Sequence, residues 1–307
     1  MTVLVAPIVM IGMFWVVPTG LALLDGPRPP GWDPLRRAWP FLAAPGALSL
    51  WLPRSALAAS LAAVYALATL ALALQAPARL FLTRSLTGRT PPREIAVLTA
   101  LAAPSVAGLA LVAERAAYPL FGFDLKLLAL TVPHFHFAGF AAALVAGLVC
   151  RASDGPAARC AALSVPAGTL LVLVGYFVDD WAELAGAAVL TAGMAAVAVL
   201  TLRERRDLAA DPLTRGLLAV SALVLVATML LALSWALGEA TGLPHLSLTW
   251  MAATHGLGNA LGFAVCALLA RRRLRVPAEA GPDAAARPPA PPSAPALPLH
   301  PRTEIPA

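Results

Sequence analysis

Long runs of apolar residues dominate the pattern along the chain and predict a bundle of transmembrane helices. A helix needs about 20 such residues to cross roughly 30 Å of hydrocarbon. Candidate spans lie at 3–24, 38–53, 55–77, 94–113, 125–150, 159–178, 183–202, 216–237 and 246–270. The pattern therefore predicts an all-α membrane protein with about nine transmembrane helices.

The second candidate span, 38–53, is short and contains Pro40, Pro45 and Pro53. Proline removes a helix hydrogen bond and kinks or breaks the helix. A re-entrant hairpin is therefore the alternative to a full span at 38–53. The chain would then cross the membrane eight times.

The distribution of basic residues predicts the orientation of the helices, because cytoplasmic loops collect Lys and Arg. With nine spans and an outer N-terminus, the inner segments contain 19 basic residues and the outer segments three. With eight spans the division is 16 to six. The sequence therefore favours nine spans with the N-terminus outside and the C-terminus inside.

The composition supports a membrane protein and excludes several other classes. Of the 307 residues, 60% are hydrophobic and only 12% are charged, whereas a soluble domain has about 25% charged residues. This excludes a water-soluble globule, a disordered chain and a nucleic-acid-binding protein, despite the formal charge of +6. The lipid bilayer is the expected partner. Richness in Arg and Ala suggests a bacterial source, and therefore the plasma membrane as the location.

The C-terminal segment differs from the rest of the chain. Ten of the 32 residues in 276–307 are proline, and the segment has no hydrophobic periodicity. Such a composition predicts a disordered tail, which is cytoplasmic in this orientation. The expected domains are thus a transmembrane domain at 1–275 and a tail at 276–307. Four arginines precede the tail and are expected to anchor the last helix; they are Arg271, Arg272, Arg273 and Arg275.

Three histidines lie inside predicted spans, where an ionisable side chain is costly and usually faces a bundle interior or a wet cavity. His134 and His136 lie in the fifth span and His255 lies in the ninth. His134 and His255 each follow the start of their span by nine residues, which corresponds to a depth of about 13 Å. The pattern predicts a shared site near the bilayer centre.

Helix geometry limits how the three imidazoles can be used. Side chains two residues apart are separated by about 200° around the axis of an α-helix and so lie on nearly opposite faces. Only one of His134 and His136 can therefore easily meet His255. Asn259 lies one turn after His255, and Thr254 precedes it. We expect these five residues to bind a proton or substrate, with the three histidines as candidate metal ligands. The alternative is that they only form hydrogen bonds between helices.

Two further patterns are relevant to this site. Gly258 and Gly262 form a GxxxG motif, which predicts a close contact with another helix. Asp179, Asp180 and Glu183 lie at the predicted outer turn between the sixth and seventh spans, where they could attract cations. The alternative is that outer loops simply contain few arginines. No Ser-His-Asp, HExxH or P-loop pattern indicates an enzyme.

The segments His134-Phe-His-Phe-Ala-Gly-Phe140 and Thr254-His-Gly-Leu-Gly-Asn-Ala-Leu-Gly-Phe263 resemble the YndJ-like family of bacterial membrane proteins. Glu114-Arg115 and Pro119-Leu-Phe-Gly-Phe123 also fit this resemblance. It extends from about the first to the ninth span and excludes the tail. The resemblance implies a polytopic membrane protein, and members of the family are sometimes labelled transporters.

The His134-Phe-His136 segment also resembles the histidine pair on one helix of haem-copper oxidase subunit I, although the copper-ligand histidines are absent.

The leading hypothesis is a transporter-like protein with a histidine site for a proton, metal ion or small polar solute. The alternative is a membrane redox protein that binds haem b or a metal ion through His255 and either His134 or His136. A third possibility is a structural protein whose tail recruits partners.

Overall fold

A computed structural model describes residues 2–153, 155–207 and 211–275, and within these ranges the regular structure is entirely helical. Nine helices follow one another with short connections, and a single 3₁₀ turn lies between the fourth and fifth. The helices are α1 (Thr2–Leu23), α2 (Trp32–Ser49), α3 (Ala56–Thr87), α4 (Pro92–Arg115), α5 (Leu125–Ala152), α6 (Pro156–Gly175), α7 (Asp180–Asp207), α8 (Pro212–Thr241) and α9 (Leu248–Arg275).

Eight of these nine helices are long and apolar enough to cross a membrane, and α2 is the exception. It is nevertheless one continuous helix of 18 residues, which corresponds to about 27 Å. The loop before it is bound by Arg79 of α3 near one end of the bundle. At the other end, Arg115 of α4 donates to the carbonyl oxygen of Ser49, the last residue of α2. The prediction of about nine helices is confirmed, and α2 is not a re-entrant hairpin.

The connections alternate between two ends of the bundle. We call the end that contains the loop 24–31 and the start of α4 the arginine-rich end. The opposite end, which contains the loop 116–124 and the start of α7, is the acidic end. The predicted orientation would place the arginine-rich end in the cytoplasm. The predicted tail at 276–307 lies outside the described residues.

A buried ion pair fixes the loops at the arginine-rich end. The Nε atom of Arg79 donates to Oε1 of Glu94 at 2.5 Å, and both side chains are almost completely buried. The two terminal nitrogens of Arg79 also donate to the carbonyl oxygens of Pro27 and Asp25, at 3.0 and 2.8 Å. Breaking such a pair is costly because it leaves an uncompensated buried charge. Arg79 therefore holds the loop before α2 against α3 and α4.

The end of α9 is fixed in a similar way. Arg271 makes two hydrogen bonds to the carboxylate of Glu204 on α7, at 3.2 and 2.8 Å. Arg273 contacts Asp211 and Thr214 at the start of α8. The hydrogen bonds from the hydroxyl and amide of Thr214, with Arg273 nearby, lower the pKa of Asp211 from 3.8 to about 2. Two of the four clustered arginines thus anchor the last helix to its neighbours.

The helices α6 and α7 approach each other through glycines spaced seven residues apart. A Cβ atom at Gly168 or Gly175 of α6 would lie 2.5 Å from the backbone of α7. A Cβ atom at Gly186 would lie 2.5 Å from the backbone of α6, and one at Gly193 would lie 2.9 Å from it. No side chain fits between the two backbones at these positions. The pair is therefore packed more closely than ordinary side chains allow.

Three helices contain π-helical stretches, which the apolar pattern does not predict. We name them π1 (Gly12–Val16) in α1, π2 (Phe135–Ala141) in α5, and π3 (Ala252–Gly256) and π4 (Gly258–Val265) in α9. The stretch π2 packs against both π1 and π4. Such stretches are rare and often occur at functional sites. Here they bring together the two helices that carry the intramembrane histidines.

Candidate functional site

His136 is completely buried, and both of its ring nitrogens have partners. Its Nδ1 atom donates to the carbonyl oxygen of Val132 at 2.7 Å. Its Nε2 atom accepts from the hydroxyl of Tyr65 on α3 at 2.5 Å. This pattern corresponds to a neutral imidazole with its proton on Nδ1. His136 therefore has no free nitrogen with which to meet His255.

His136 is tightly enclosed by residues of α1, α2, α3 and α5. Trp39 of α2 packs edge-on against Tyr65 and donates its indole N–H to the carbonyl oxygen of Met13, at 2.8 Å. A Cβ atom at Gly12 of π1 would lie 2.8 Å from the His136 ring. The absence of a side chain at Gly12 thus makes room for the imidazole. Tyr65 and His136 have the features of a satisfied buried polar pair.

His134 has a different environment, although it is only two residues away. Its side chain is exposed, and its ring packs edge-on against Phe135. It also interacts electrostatically with His255 of α9. Of the two α5 histidines, His134 is therefore the one that interacts with His255, whereas His136 is bonded elsewhere.

His255 belongs to a closed set of hydrogen bonds that we call the Thr228–Asn259 network. Its Nδ1 atom donates to the carbonyl oxygen of Thr228 on α8 at 2.8 Å. The amide nitrogen of Asn259 lies 3.1 Å from Nε2 of His255. The hydroxyl of Thr228 donates to the amide oxygen of Asn259 at 2.8 Å. The network fixes the orientation of the imidazole while leaving His255 partly exposed.

The predicted GxxxG contact is present directly beside this network. A Cβ atom at Gly258 would lie 2.7 Å from Thr228, and one at Gly262 would lie 2.7 Å from Val224. Both glycines thus allow α9 to approach α8. Thr254, in contrast, is exposed and donates its hydroxyl to the carbonyl oxygen of Trp250 within its own helix. It is not one of the bonded members of the Thr228–Asn259 network.

The three predicted acidic residues lie together at the acidic end but have different roles. Asp179 accepts from the backbone N–H of Ala182 at 2.7 Å and so caps α7, and Asp180 is exposed. Glu183 is buried and lies close enough to Tyr176, Asp180 and Glu239 to interact with them electrostatically. The start of α7 and the end of α8 therefore share a concentration of carboxylates.

The prediction of a metal site formed by His134, His136 and His255 needs correction. Within the ranges that the structure describes, no three His, Cys, Asp or Glu side chains are grouped so that they could hold a metal ion. The physical reason is that His136 points toward Tyr65 and Val132, away from His255. A two-ligand site could use only His134 and His255.

The comparison with protein families agrees with the sequence motifs. The profile of the YndJ-like protein family matches residues 7–263, which include both histidine motifs. The chain belongs to the YndJ-like family. Comparisons of this YndJ-like protein with curated proteins and with solved structures found no match. The family membership and the eight long apolar helices together identify an integral, multi-pass membrane protein.

Two residues of the YndJ-like protein that contact the histidines were not part of the predicted site. Thr228 lies within an apolar run and gives no signal beyond being a polar residue in a span. Tyr65 is an aromatic residue within an apolar run, and the partner of its hydroxyl cannot be read from that pattern. Contacts between residues 71 positions apart, as for Tyr65 and His136, require the folded arrangement.

Proposed function

We propose that this protein is a transporter-like membrane protein in which His134 and His255 bind a proton, a metal ion or a small polar solute. The observation that carries the proposal is the environment of His134. Its imidazole is exposed near the middle of a transmembrane helix and interacts electrostatically with the partly exposed His255. An ionisable group at membrane depth is expensive and usually marks a pathway. His136 shows the alternative, a fully satisfied imidazole.

The Thr228–Asn259 network provides a way to respond to a proton on His255. Protonation at Nε2 changes this atom from an acceptor to a donor. Rotation of the Asn259 amide then presents its oxygen to Nε2 and its nitrogen to the Thr228 hydroxyl. That hydroxyl has a second acceptor, the carbonyl oxygen of Leu225, at 3.0 Å. One proton on His255 thus changes the bonding between α8 and α9, as a switch requires.

The carboxylates at the acidic end support cation entry from that side. Asp180, Glu183 and Glu239 lie close enough to interact electrostatically, and such a charged region raises the local concentration of cations. In the predicted orientation this end faces the outside. An Arg- and Ala-rich composition supports the bacterial plasma membrane as the location.

The experiment measures ion flux in liposomes that contain the purified protein. Proton uptake under an imposed membrane potential is followed with a trapped pH dye, and Zn²⁺ or Mn²⁺ uptake with a trapped metal dye. We expect His134→Ala and His255→Ala to reduce the flux to that of empty liposomes. Asn259→Leu should reduce it strongly because the network loses its central amide.

The control is Tyr65→Phe, which removes a polar atom from the neighbouring His136 pocket but leaves the His134–His255 pair intact. Its flux should equal that of the wild type. Wild-type flux in folded His255→Ala protein would refute the proposal. An absorbance spectrum of the same preparations tests the redox alternative, because a Soret band that disappears in His255→Ala would instead show haem ligation.

A further inference from the structure

A crevice of about 280 Å³ lies at the arginine-rich end, where α4 and α6 begin. It is independent of the histidine site described above. The polar part of its lining consists of three arginines, a threonine, a serine and the buried Cys150. We call it the basic crevice, and its arginines are Arg89, Arg93 and Arg159.

The arginines of the basic crevice differ from Arg79 and Arg271 at the same end in their lack of a carboxylate partner. Arg79 and Arg271 each have a carboxylate partner. Among the residues that the structure describes, Arg89, Arg93 and Arg159 form no ion pair with an acidic side chain. Asp154 lies outside the described residues, and even with its charge counted the three guanidinium groups leave a net charge of +2.

Two helix N-termini add further positive potential to the same crevice. The residues before α4 and α6, Pro91 and Gly155, provide no side-chain cap. In contrast, Ser55 and Asp124 cap the starts of α3 and α5 with their side chains. The first N–H groups of a helix carry a partial positive charge and can bind an anion. Both helices begin with a proline, Pro92 or Pro156, so these N–H groups start at the second residue.

A bound anion would offset two unfavourable interactions of the exposed arginines in the basic crevice. Arg93 and Arg159 lie in the first turns of α4 and α6, where a cation opposes the helix dipole. Three guanidinium groups around one crevice also repel one another. A phosphate oxygen would accept hydrogen bonds from arginine forks and from helix N–H groups at the same time.

We propose that the basic crevice binds a phosphate group at the membrane surface. Two sources carry this chemistry: the headgroup of an anionic phospholipid and free inorganic phosphate. The position at the end of the helices, where headgroups lie, is compatible with the lipid. The open rim of the crevice also admits a free ion.

The test measures binding to the full-length protein in a non-ionic detergent by calorimetry. The probes are inorganic phosphate, short-chain phosphatidylglycerol and short-chain phosphatidylcholine, whose choline group cancels the phosphate charge. We expect saturable binding of phosphate, phosphatidylglycerol or both, and at least tenfold weaker binding of phosphatidylcholine. The double variant Arg93→Gln/Arg159→Gln should weaken the binding by about tenfold or more, because charge-assisted hydrogen bonds are lost.

The matched control is Arg28→Gln/Arg36→Gln, which removes the same charge from an exposed and a half-buried position at the same end. Its affinities should equal those of the wild type. The single variants Arg89→Gln and Arg159→Gln, both at exposed positions, replace the double variant if it does not fold. Binding of phosphatidylglycerol alone identifies the lipid as the source, and binding of phosphate alone identifies the free ion. No binding of either probe, or equal losses in the control, would overturn the proposal.

Discussion

His134 and His136 are two residues apart in the chain and have opposite environments. His136 is buried, with both nitrogens bonded to Val132 and Tyr65. His134 is exposed and interacts electrostatically with His255. The rotation of about 100° per residue places them on different sides of α5, where one contributes to packing and the other remains available. The two roles can therefore be separated by single substitutions.

The first prediction concerns the packing role. Tyr65→Phe removes the hydroxyl that donates to His136 and leaves a buried nitrogen without a partner. An unsatisfied buried polar group costs about 1–3 kcal/mol, so we expect the free energy of unfolding to fall by this amount. Titration with a denaturing detergent measures the change.

Tyr118→Phe is the matched control for this prediction, because Tyr118 is 60% exposed in the loop after α4. Its unfolding free energy should change by less than about 0.5 kcal/mol. Equal effects of the two substitutions would contradict the described hydrogen bond between Tyr65 and His136.

The α6–α7 pair shows how an element can be specified by residues that lack side chains. The four glycines recur every seven residues on each helix and face the partner's backbone. In a membrane, apolar side chains gain little by leaving lipid, so close backbone packing is a principal source of helix association. The glycines therefore determine which helix α6 pairs with and at what distance.

The second prediction follows from this close approach. Gly168→Ala places a Cβ atom 2.5 Å from the backbone of Leu190, and overpacking of this kind typically costs about 1–3 kcal/mol. Gly216→Ala in α8 is the control, because nothing lies within 4 Å of its Cβ position. Unfolding titrations should show a loss for the first variant and little change or a small gain for the second. A similar loss in both variants would argue against the described packing.

The sequence predicts the helices well because apolar length is a direct physical requirement of the bilayer. It predicts their ends less well. The third span was predicted to end at 77, yet α3 continues to Thr87, since Arg79 is neutralised by Glu94 from the next helix. The π-helical stretches were not predicted, because a single extra residue in a turn leaves the apolar pattern unchanged. The sequence singles out His134, His255 and Asn259, but it gives no signal for Thr228, which hydrogen-bonds to both His255 and Asn259.

At the scale of the whole molecule, charge distinguishes the two ends of the bundle. The arginine-rich end contains the ion pairs of Arg79, Arg151 and Arg271. The acidic end contains Glu183 and Glu239. This asymmetry is what the positive-inside rule uses to orient a polytopic protein, and it predicts an outer N-terminus.

The third prediction tests this orientation by labelling single cysteines in whole cells. In a variant without Cys150, Cys160 and Cys266, Tyr118→Cys should react with a membrane-impermeant maleimide in intact cells. Arg28→Cys, which lies in the loop before α2, should react only after the membrane is permeabilised. The reverse result would invert the orientation, and labelling of both residues in intact cells would contradict an arrangement in which they occupy opposite ends.

The Arg79–Glu94 pair also has a consequence for synthesis of the protein. Translation produces Arg79 fifteen residues before Glu94, so the guanidinium group reaches the membrane before its carboxylate does. During that interval a lone cation cannot enter the hydrocarbon cheaply. In the predicted orientation, we expect it to stay among the lipid phosphates and to keep the end of α3 on the cytoplasmic side. The arrival of α4 supplies the carboxylate that pairs with Arg79, so we expect the nascent third and fourth helices to enter the folded bundle as a pair.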